Sequence, residues 1–127
     1  MTDKFSGTAY DADVADIGEG ATYSTVSSEM TTADRYRIVV MPYATGANAS
    51  SAGTVTFNLV AKIAGKWSTA TFTSVTVTVS GTSEDVAVPV LLDVAGIQAL
   101  RVASIVNGDA TYHITNVNIA FSVAPRN

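Results

Sequence analysis

The chain of 127 residues has a net charge of −4 and no cysteine, which excludes thiolate metal sites, thiol nucleophiles and disulfides. Its seven Lys and Arg residues do not cluster, so we expect no binding to nucleic acid. Only 14% of the residues are charged, against a usual value of about 25%. This depletion indicates either a solvent face rich in Ser and Thr or a surface that meets other subunits.

The length fits one domain, and the polar start of the chain is unlike a signal peptide. No apolar stretch approaches the roughly 20 residues that a membrane-spanning helix needs. We therefore expect no membrane partner. We also expect the protein to stay in the cytoplasm of the cell that makes it until a larger assembly forms or is released.

Residues 1–21 are acidic, contain three glycines and follow neither a strand period nor a helix period. This predicts an extended N-terminal arm over 1–21, followed by a β-sandwich domain over 22–127. Phe5, Tyr10 and Ile17 are spaced apolar residues that we predict to anchor the arm on a partner. A terminus that is disordered, or that lies along its own sheet, explains the pattern equally well.

Strands follow in order from residue 22. Residues 23–29 form a short β-prone stretch, and 35–43 are apolar on both faces, so that strand is covered on both sides by the fold or by a partner. Pro42 cannot donate to a ladder, which predicts that pairing fails there. Residues 54–63 alternate apolar and polar side chains, as in a half-buried strand, and the next residues predict a hairpin into Trp67.

The second half of the chain predicts further strands at 71–80, 86–92, 97–106 and 111–123. Pro89 places the second of these at a sheet edge. In the last strand the apolar positions change from even to odd numbers, which predicts a bulge near Thr115 and Asn116. About eight strands at a spacing of roughly 8–12 residues indicate an antiparallel two-sheet sandwich. The spacing fits either a jelly roll or an immunoglobulin-like sandwich, and the strand number and the lack of a Cys…Trp…Cys signature favour the jelly roll.

The sequence offers no set of catalytic residues. His113 is the only histidine, and no Gly-x-Ser-x-Gly elbow or phosphate-binding loop occurs. The acidic stretch over 11–19 does not follow the order of a calcium-binding EF-hand loop. We therefore expect neither an enzyme nor a cofactor, and we expect a solvated acidic arm or one that docks on a basic surface.

Two aromatic residues suggest an alternative function. Trp67 follows a turn and Tyr43 lies at a predicted strand end, so both are candidates for exposed platforms that stack on sugars. A carbohydrate-binding module is the alternative hypothesis, with Trp67 and Tyr43 as its binding residues. The opposing interpretation is that each ring packs against its own sheet.

The whole chain resembles phage head decoration, or cement, proteins and related virion components. The resemblance lies in the arm over 1–21, in the strands rich in Thr, Ser, Ala and Val over 54–80 and 99–123, and in the low charge. It implies a structural protein of the virion that binds coat protein subunits and its own copies, as a dimer or trimer. It implies no catalytic residue.

Overall fold

The protein, described here over residues 6–123 in a computed structural model, forms only β-strands as regular elements within that range. Two antiparallel sheets pack around one core, which confirms the predicted all-β sandwich. Over 6–123 there is no helix of the length and apolar character that crossing a membrane requires. The strands are β1 (Ser6–Thr8), β2 (Thr22–Tyr23), β3 (Met30–Thr31), β4 (Arg37–Gly46), β5 (Thr54–Ile63), β6 (Lys66–Trp67), β7 (Thr73–Thr78), β8 (Glu84–Val86), β9 (Val90–Asp93), β10 (Ala99–Asn107) and β11 (Ile114–Val123).

The two sheets have the same plan of two long central strands with shorter strands outside them. Sheet 1 runs in the order β1-β11-β4, and β8 and β9 both pair with the far side of β4. In sheet 2, β2 and β3 pair with β10, β10 pairs with β5, and β6 and β7 pair with the other side of β5. The chain therefore crosses repeatedly between the sheets. Whether this is a jelly roll stays a prediction at this point.

The alternation predicted for residues 54–63 matches β5 from end to end. Phe57 and Leu59 are fully buried between the sheets, as expected for one face of a half-buried strand. Val60 is the exception on the outer face, where it is 5% exposed beside Arg101, its cross-strand neighbour. At the end of the strand, Ile63 is 58% exposed and leads into the predicted hairpin with β6.

Two proline predictions have different outcomes. β4 continues past Pro42 to Gly46, beyond the predicted bound at residue 43, and Pro42 still pairs with Ile119 of β11. Pairing fails only on one side, because the ladder with β9 ends at Val40 and the ladder with β8 begins at Tyr43. The strand predicted around Pro89 is divided into β8 and β9, and both lie at the edge of sheet 1, as expected for a residue without a backbone N–H.

The strand predicted over 23–29 is also wrong. Only β2 and β3, at the two ends of this stretch, pair with β10. Between them the Ser27 hydroxyl accepts the N–H of Val102 at 2.9 Å, while the Ser27 N–H donates to the Val102 carbonyl at 3.0 Å. One side chain thus replaces part of the ladder, which a pattern of β-prone residues does not reveal.

The predicted bulge in the last strand is confirmed. β11 pairs with β4 at Thr115 and again at Asn118, with one more residue on β11 than on β4 between these points. Asn116 has a φ of 52°, in the left-handed region that Asn tolerates better than most residues. The extra residue allows Ile114 and Val117 to be fully buried although one is even-numbered and the other odd.

Residues 6–21, which we call the N-terminal segment, run antiparallel to β11 and close one edge of sheet 1. β1 pairs with β11, and isolated bridges follow at Val14 and Ile17. Tyr10 is 7% exposed and Ile17 is 3% exposed, and both belong to the same core as the sandwich. These side chains pack within their own chain, which differs from the expectation of an arm anchored on a partner. Phe5 lies outside the described residues.

Candidate interaction surfaces

The open edge of sheet 1 carries a row of exposed apolar side chains. On β4, Val39 and Met41 point outward, because Ile38 and Val40 fill the core. Leu91 of β9 lies directly opposite Val39 and is 58% exposed. Further along the edge, Val86 of β8 and Val88 in the connection to β9 are also exposed. We name this surface the apolar strip, and it consists of Val39, Met41, Val86, Val88 and Leu91.

Acidic residues surround the apolar strip. β8 contributes Glu84 at one end, and β9 contributes Asp93 at the other. Asp85 lies instead opposite buried Ala44, and its carboxylate accepts the N–H of Ser80 at 2.8 Å. Asp93 lies opposite Arg37, which is the single cation of this rim among the described residues. The rim is therefore negative overall, which a partner with cations around an apolar centre would complement.

The outer face of sheet 2 has the opposite charge. Five cations occur between residues 6 and 123, and two of them, Lys62 and Arg101, lie on this face over Trp67. A third, Lys66, pairs with Ile63 and borders the depression beside the same ring. We name the group the basic patch, and it consists of Lys62, Lys66, Trp67 and Arg101. One carboxylate, Glu29, partly balances it through an ion pair with Lys62 at 3.1 Å.

Trp67 organises the basic patch. The guanidinium carbon of Arg101 lies 4.2 Å from the centre of the indole ring, and the Lys62 ammonium lies 5.7 Å from the same point. Both are cation–π distances. The Nε of Arg101 is buried and has no hydrogen-bond partner in the described part of the chain. Beside the ring, the exposed side chains of Ile63 and Phe72 border a shallow open depression of about 410 Å³.

Tyr43 and Trp67, the two predicted sugar platforms, are not brought together. Tyr43 lies on β4 of sheet 1, whereas Trp67 lies on β6 of sheet 2. The Tyr43 hydroxyl donates to Oδ1 of Asp13 at 2.8 Å. Burial, this hydrogen bond and the charges of Asp13 and Glu84 raise the pKa of Tyr43 to about 12. Tyr43 therefore fastens the N-terminal segment, and the structure does not support a single binding site with two platforms.

The side chain of Asn118 is the main polar clamp on the N-terminal segment. It is 1% exposed and takes the place of a backbone pair opposite Tyr10. Its Oδ1 accepts the N–H groups of Tyr10 and Ile119 at 3.1 and 2.8 Å, and its Nδ2 donates to the Tyr10 carbonyl at 3.0 Å. The same Nδ2 lies 2.9 Å from the Asp13 carboxylate that receives the Tyr43 hydroxyl. The Asn118 side-chain amide thus joins the N-terminal segment to β11 at a point where their backbones do not pair.

His113 fastens the far end of the same segment. Its Nδ1 lies 2.8 Å from the Asp16 carboxylate, and its Nε2 lies 2.8 Å from the Glu19 carboxylate. Asp16 and Glu19 precede His113 by 97 and 94 positions in the sequence. The hydrogen bond to Asp16 and the charge of Asp16, with a lesser contribution from Glu19, raise the pKa of His113 above its ordinary 6.5 against the opposing effect of desolvation.

The contacts of the His113 ring hold parts of the chain together and do not resemble a catalytic site. Both ring nitrogens face carboxylates, so neither is left to activate a serine hydroxyl as in a catalytic triad. Among residues 6–123 no group of three or more His, Asp or Glu side chains is placed to hold a metal ion. Sequence analysis missed this bridge, and its one available signal was an acidic stretch together with a single histidine.

The comparisons with known proteins do not identify a family. No family model matches the chain, and no curated protein matches it. Among solved structures, the chain is similar to a Bacillus thuringiensis Cry1Da tryptic core variant, with 9% sequence identity and a TM-score of 0.43 over 98% of this chain. The chain spans 22% of that structure's length. A similarity at this level carries no argument about function.

Proposed function

We propose that the protein is a structural component of the virion, which decorates or cements a phage capsid by binding coat protein subunits and its own copies. The observation that carries the proposal is the apolar strip. Val88 is 82% exposed and Leu91 58% exposed at a sheet edge, beside half-buried Val39 and Met41. Contiguous exposed apolar surface on a soluble domain commonly marks a site that a protein partner covers.

The composition of the open edge supports the same conclusion. Sheet edges that face water are usually blunted by charges, by prolines or by a covering segment. The N-terminal segment covers the other edge of sheet 1, whereas this edge has Pro89 and nearby carboxylates against strand pairing and still exposes three apolar side chains. The low charged fraction of 14% fits a molecule whose surface is shared with neighbours.

We also infer that the sandwich is a jelly roll. If the broken pairs β2–β3, β6–β7 and β8–β9 each count as one strand, the eight resulting strands form two sheets of four. The order is then first-last-third-sixth in sheet 1 and second-seventh-fourth-fifth in sheet 2. Double-sheet jelly rolls of eight strands occur in viral capsid proteins and in lectins, an analogy of fold that adds to the argument without deciding the function.

In this proposal the partner surface differs from the one that the sequence suggested. Tyr10 and Ile17 are packed in the core, so they cannot serve as anchors while the N-terminal segment is docked. We assign the partner contact to the apolar strip instead. The N-terminal segment then has the role of completing the sheet whose opposite edge binds the partner.

The test measures self-association by sedimentation velocity over a range of concentrations. We expect the wild-type protein to form dimers, trimers or larger species, and we expect the double variant Val88→Lys with Leu91→Lys to remain monomeric. Thr76→Lys, at an exposed position of β7 in sheet 2, is the matched control and should associate like wild type. Wild-type protein that stays monomeric at millimolar concentration would refute self-association through this surface.

A second experiment addresses the virion. Mass spectrometry of particles purified from a culture that produces the protein should find it in a copy number comparable to that of a coat or decoration subunit. Its absence from intact particles would remove the virion role and leave only the sandwich architecture.

Carbohydrate recognition is the second candidate, and it now depends on Trp67 alone. The depression beside Trp67, with apolar Ile63 and Phe72 and the cation of Lys66, favours it. Glycan-array binding that is lost in Trp67→Ala and retained in Tyr43→Phe would support this candidate. An array with no binding would end it.

A further inference from the structure

We infer that the basic patch on sheet 2 of one copy binds the acid-rimmed apolar strip on sheet 1 of a second copy, so that copies associate head to tail. The inference rests on the proposed self-association and names the two surfaces that meet. A contact between two identical apolar strips is the competing arrangement, and the complementary charges on the two sheets argue against it.

The charges separate between the two faces of the sandwich. Around the apolar strip, Glu84 and Asp93 face a single cation, Arg37. Placing two such strips together would bring like charges close to one another, which is unfavourable in an interface. In contrast, the basic patch has three cations and one nearby carboxylate, Glu29.

The apolar parts of the two surfaces are also complementary. The basic patch surrounds Trp67, and Ile63 and Phe72 beside it are 58% and 41% exposed. These side chains offer an apolar centre with a basic rim. The strip offers Val88 and Leu91 as an apolar centre with an acidic rim. Such a pairing combines burial of apolar area with attraction between opposite charges.

Because the two surfaces lie on different sheets, one copy can use both at the same time. Such a contact is heterologous, and it generates either a closed ring or an open row of copies. A two-fold dimer uses the same surface on both partners, so it is incompatible with this contact. Of the dimer and the trimer that the sequence suggested, only the trimer can be built this way.

The experiment uses two variants, each with one surface disabled. The strip variant carries Val88→Lys and Leu91→Lys, and the patch variant carries Lys62→Glu and Lys66→Glu. Each should be monomeric alone by sedimentation velocity. Mixed in equal amounts they should form a one-to-one complex, because the strip variant keeps its basic patch and the patch variant keeps its strip. Raising the salt concentration should weaken this complex at least about tenfold, since exposed charges are screened.

The other outcomes separate the two proposals. If the patch variant alone associates like wild type, the head-to-tail contact is refuted while self-association through the strip survives. If the strip variant alone associates like wild type, the strip is not the contact and both proposals fail. If wild type stays monomeric and the basic patch instead binds an acidic glycan, the second copy is the wrong occupant. Lys66→Glu alone, at an exposed turn position, should already weaken association, and it controls for misfolding of the double variant.

Discussion

The two edges of sheet 1 are completed in different ways. At one edge the N-terminal segment pairs with β11 and buries Tyr10, Val14 and Ile17 in the shared core. At the other edge β8 and β9 pair with β4 and leave Val88 and Leu91 exposed. The first edge is covered by the chain itself, and the second keeps its apolar side chains exposed.

The means of closure also differ. The covered edge is held by backbone pairs with β11 and by side-chain hydrogen bonds between Asn118 and Tyr10, Tyr43 and Asp13, and His113 and Asp16. The open edge has a short backbone ladder with an apolar outer surface. Hydrogen bonds between side chains depend on geometry and protonation, whereas burial of an apolar surface is favourable whichever molecule covers it. Mutations at the two edges should therefore affect different measurements, stability at the first and association at the second.

The largest expected effect on stability comes from Asn118→Ala. The change removes the acceptor of two buried backbone N–H groups, those of Tyr10 and Ile119. Unsatisfied buried donors cost about 1–3 kcal/mol each, so we expect the free energy of unfolding to fall by about 3 kcal/mol. Urea denaturation followed by tryptophan fluorescence of Trp67 measures it.

Asn58→Ala is the matched control for this substitution. Asn58 also bridges two partners, but these are the hydroxyls of Ser74 and Ser104 on the outer face of sheet 2. Both hydroxyls can bond to water after the change, so the loss should be below about 1 kcal/mol. Equal losses in the two variants would show that the N-terminal segment does not depend on the Asn118 clamp.

His113 should give a smaller and pH-dependent effect. Its folded pKa is raised above 6.5, so the stability that the bridge contributes is fully present below the unfolded pKa and is lost as the pH rises through the folded pKa. The unfolding free energy of wild type should exceed that of His113→Gln only at pH values below the folded pKa of His113. Urea denaturation of both proteins at several pH values measures the difference.

The same residue allows a direct measurement, because the chain has only one histidine. Proton NMR titration of the imidazole should give a pKa above 6.5, and Asp16→Asn should lower it more than Glu19→Gln, since Asp16 is the larger cause. A wild-type pKa at or below 6.5 would show that the imidazole does not hold the two carboxylates in solution.

The sequence was sufficient where a pattern reports burial directly. The alternation over 54–63 identified the bounds of β5 and its buried face as far as Ala61, and the change of phase in the last strand located the bulge at Asn116. The edge position of Pro89 followed from its missing N–H. In each case the cause is local, either the two-residue period of a strand or the backbone chemistry of a single residue.

The sequence was insufficient where side chains replace backbone pairing. The apolar residues within 6–21 follow no strand period, because the Asn118 side chain replaces a backbone pair opposite Tyr10. At the far end of the segment, the Asn107 side chain donates to the carbonyls of Ile17, Gly18 and Tyr112. Similarly, Ser27 takes the place of a ladder bond to Val102. Apart from the bond to Tyr112, these bonds join residues 75 to 108 positions apart, and no local pattern encodes them.

The charge separation between the sheets was hidden for a related reason. Lys62, Lys66 and Arg101 are scattered along the chain, and they gather around Trp67 only because β5, β6 and β10 are neighbours in sheet 2. A count of cations in sequence therefore gave no sign of a basic patch. It became visible once the strand order was known.

The smallest expected effect on stability is that of Val88→Lys at the open edge. Val88 is 82% exposed, so a lysine there loses little packing and buries no charge, and we expect the free energy of unfolding to change by less than about 0.5 kcal/mol. Urea denaturation at low micromolar concentration, where copies are separate, measures this value. A loss of 2 kcal/mol or more would mean that Val88 packs within the monomer, and the edge could then no longer be regarded as a surface reserved for a partner.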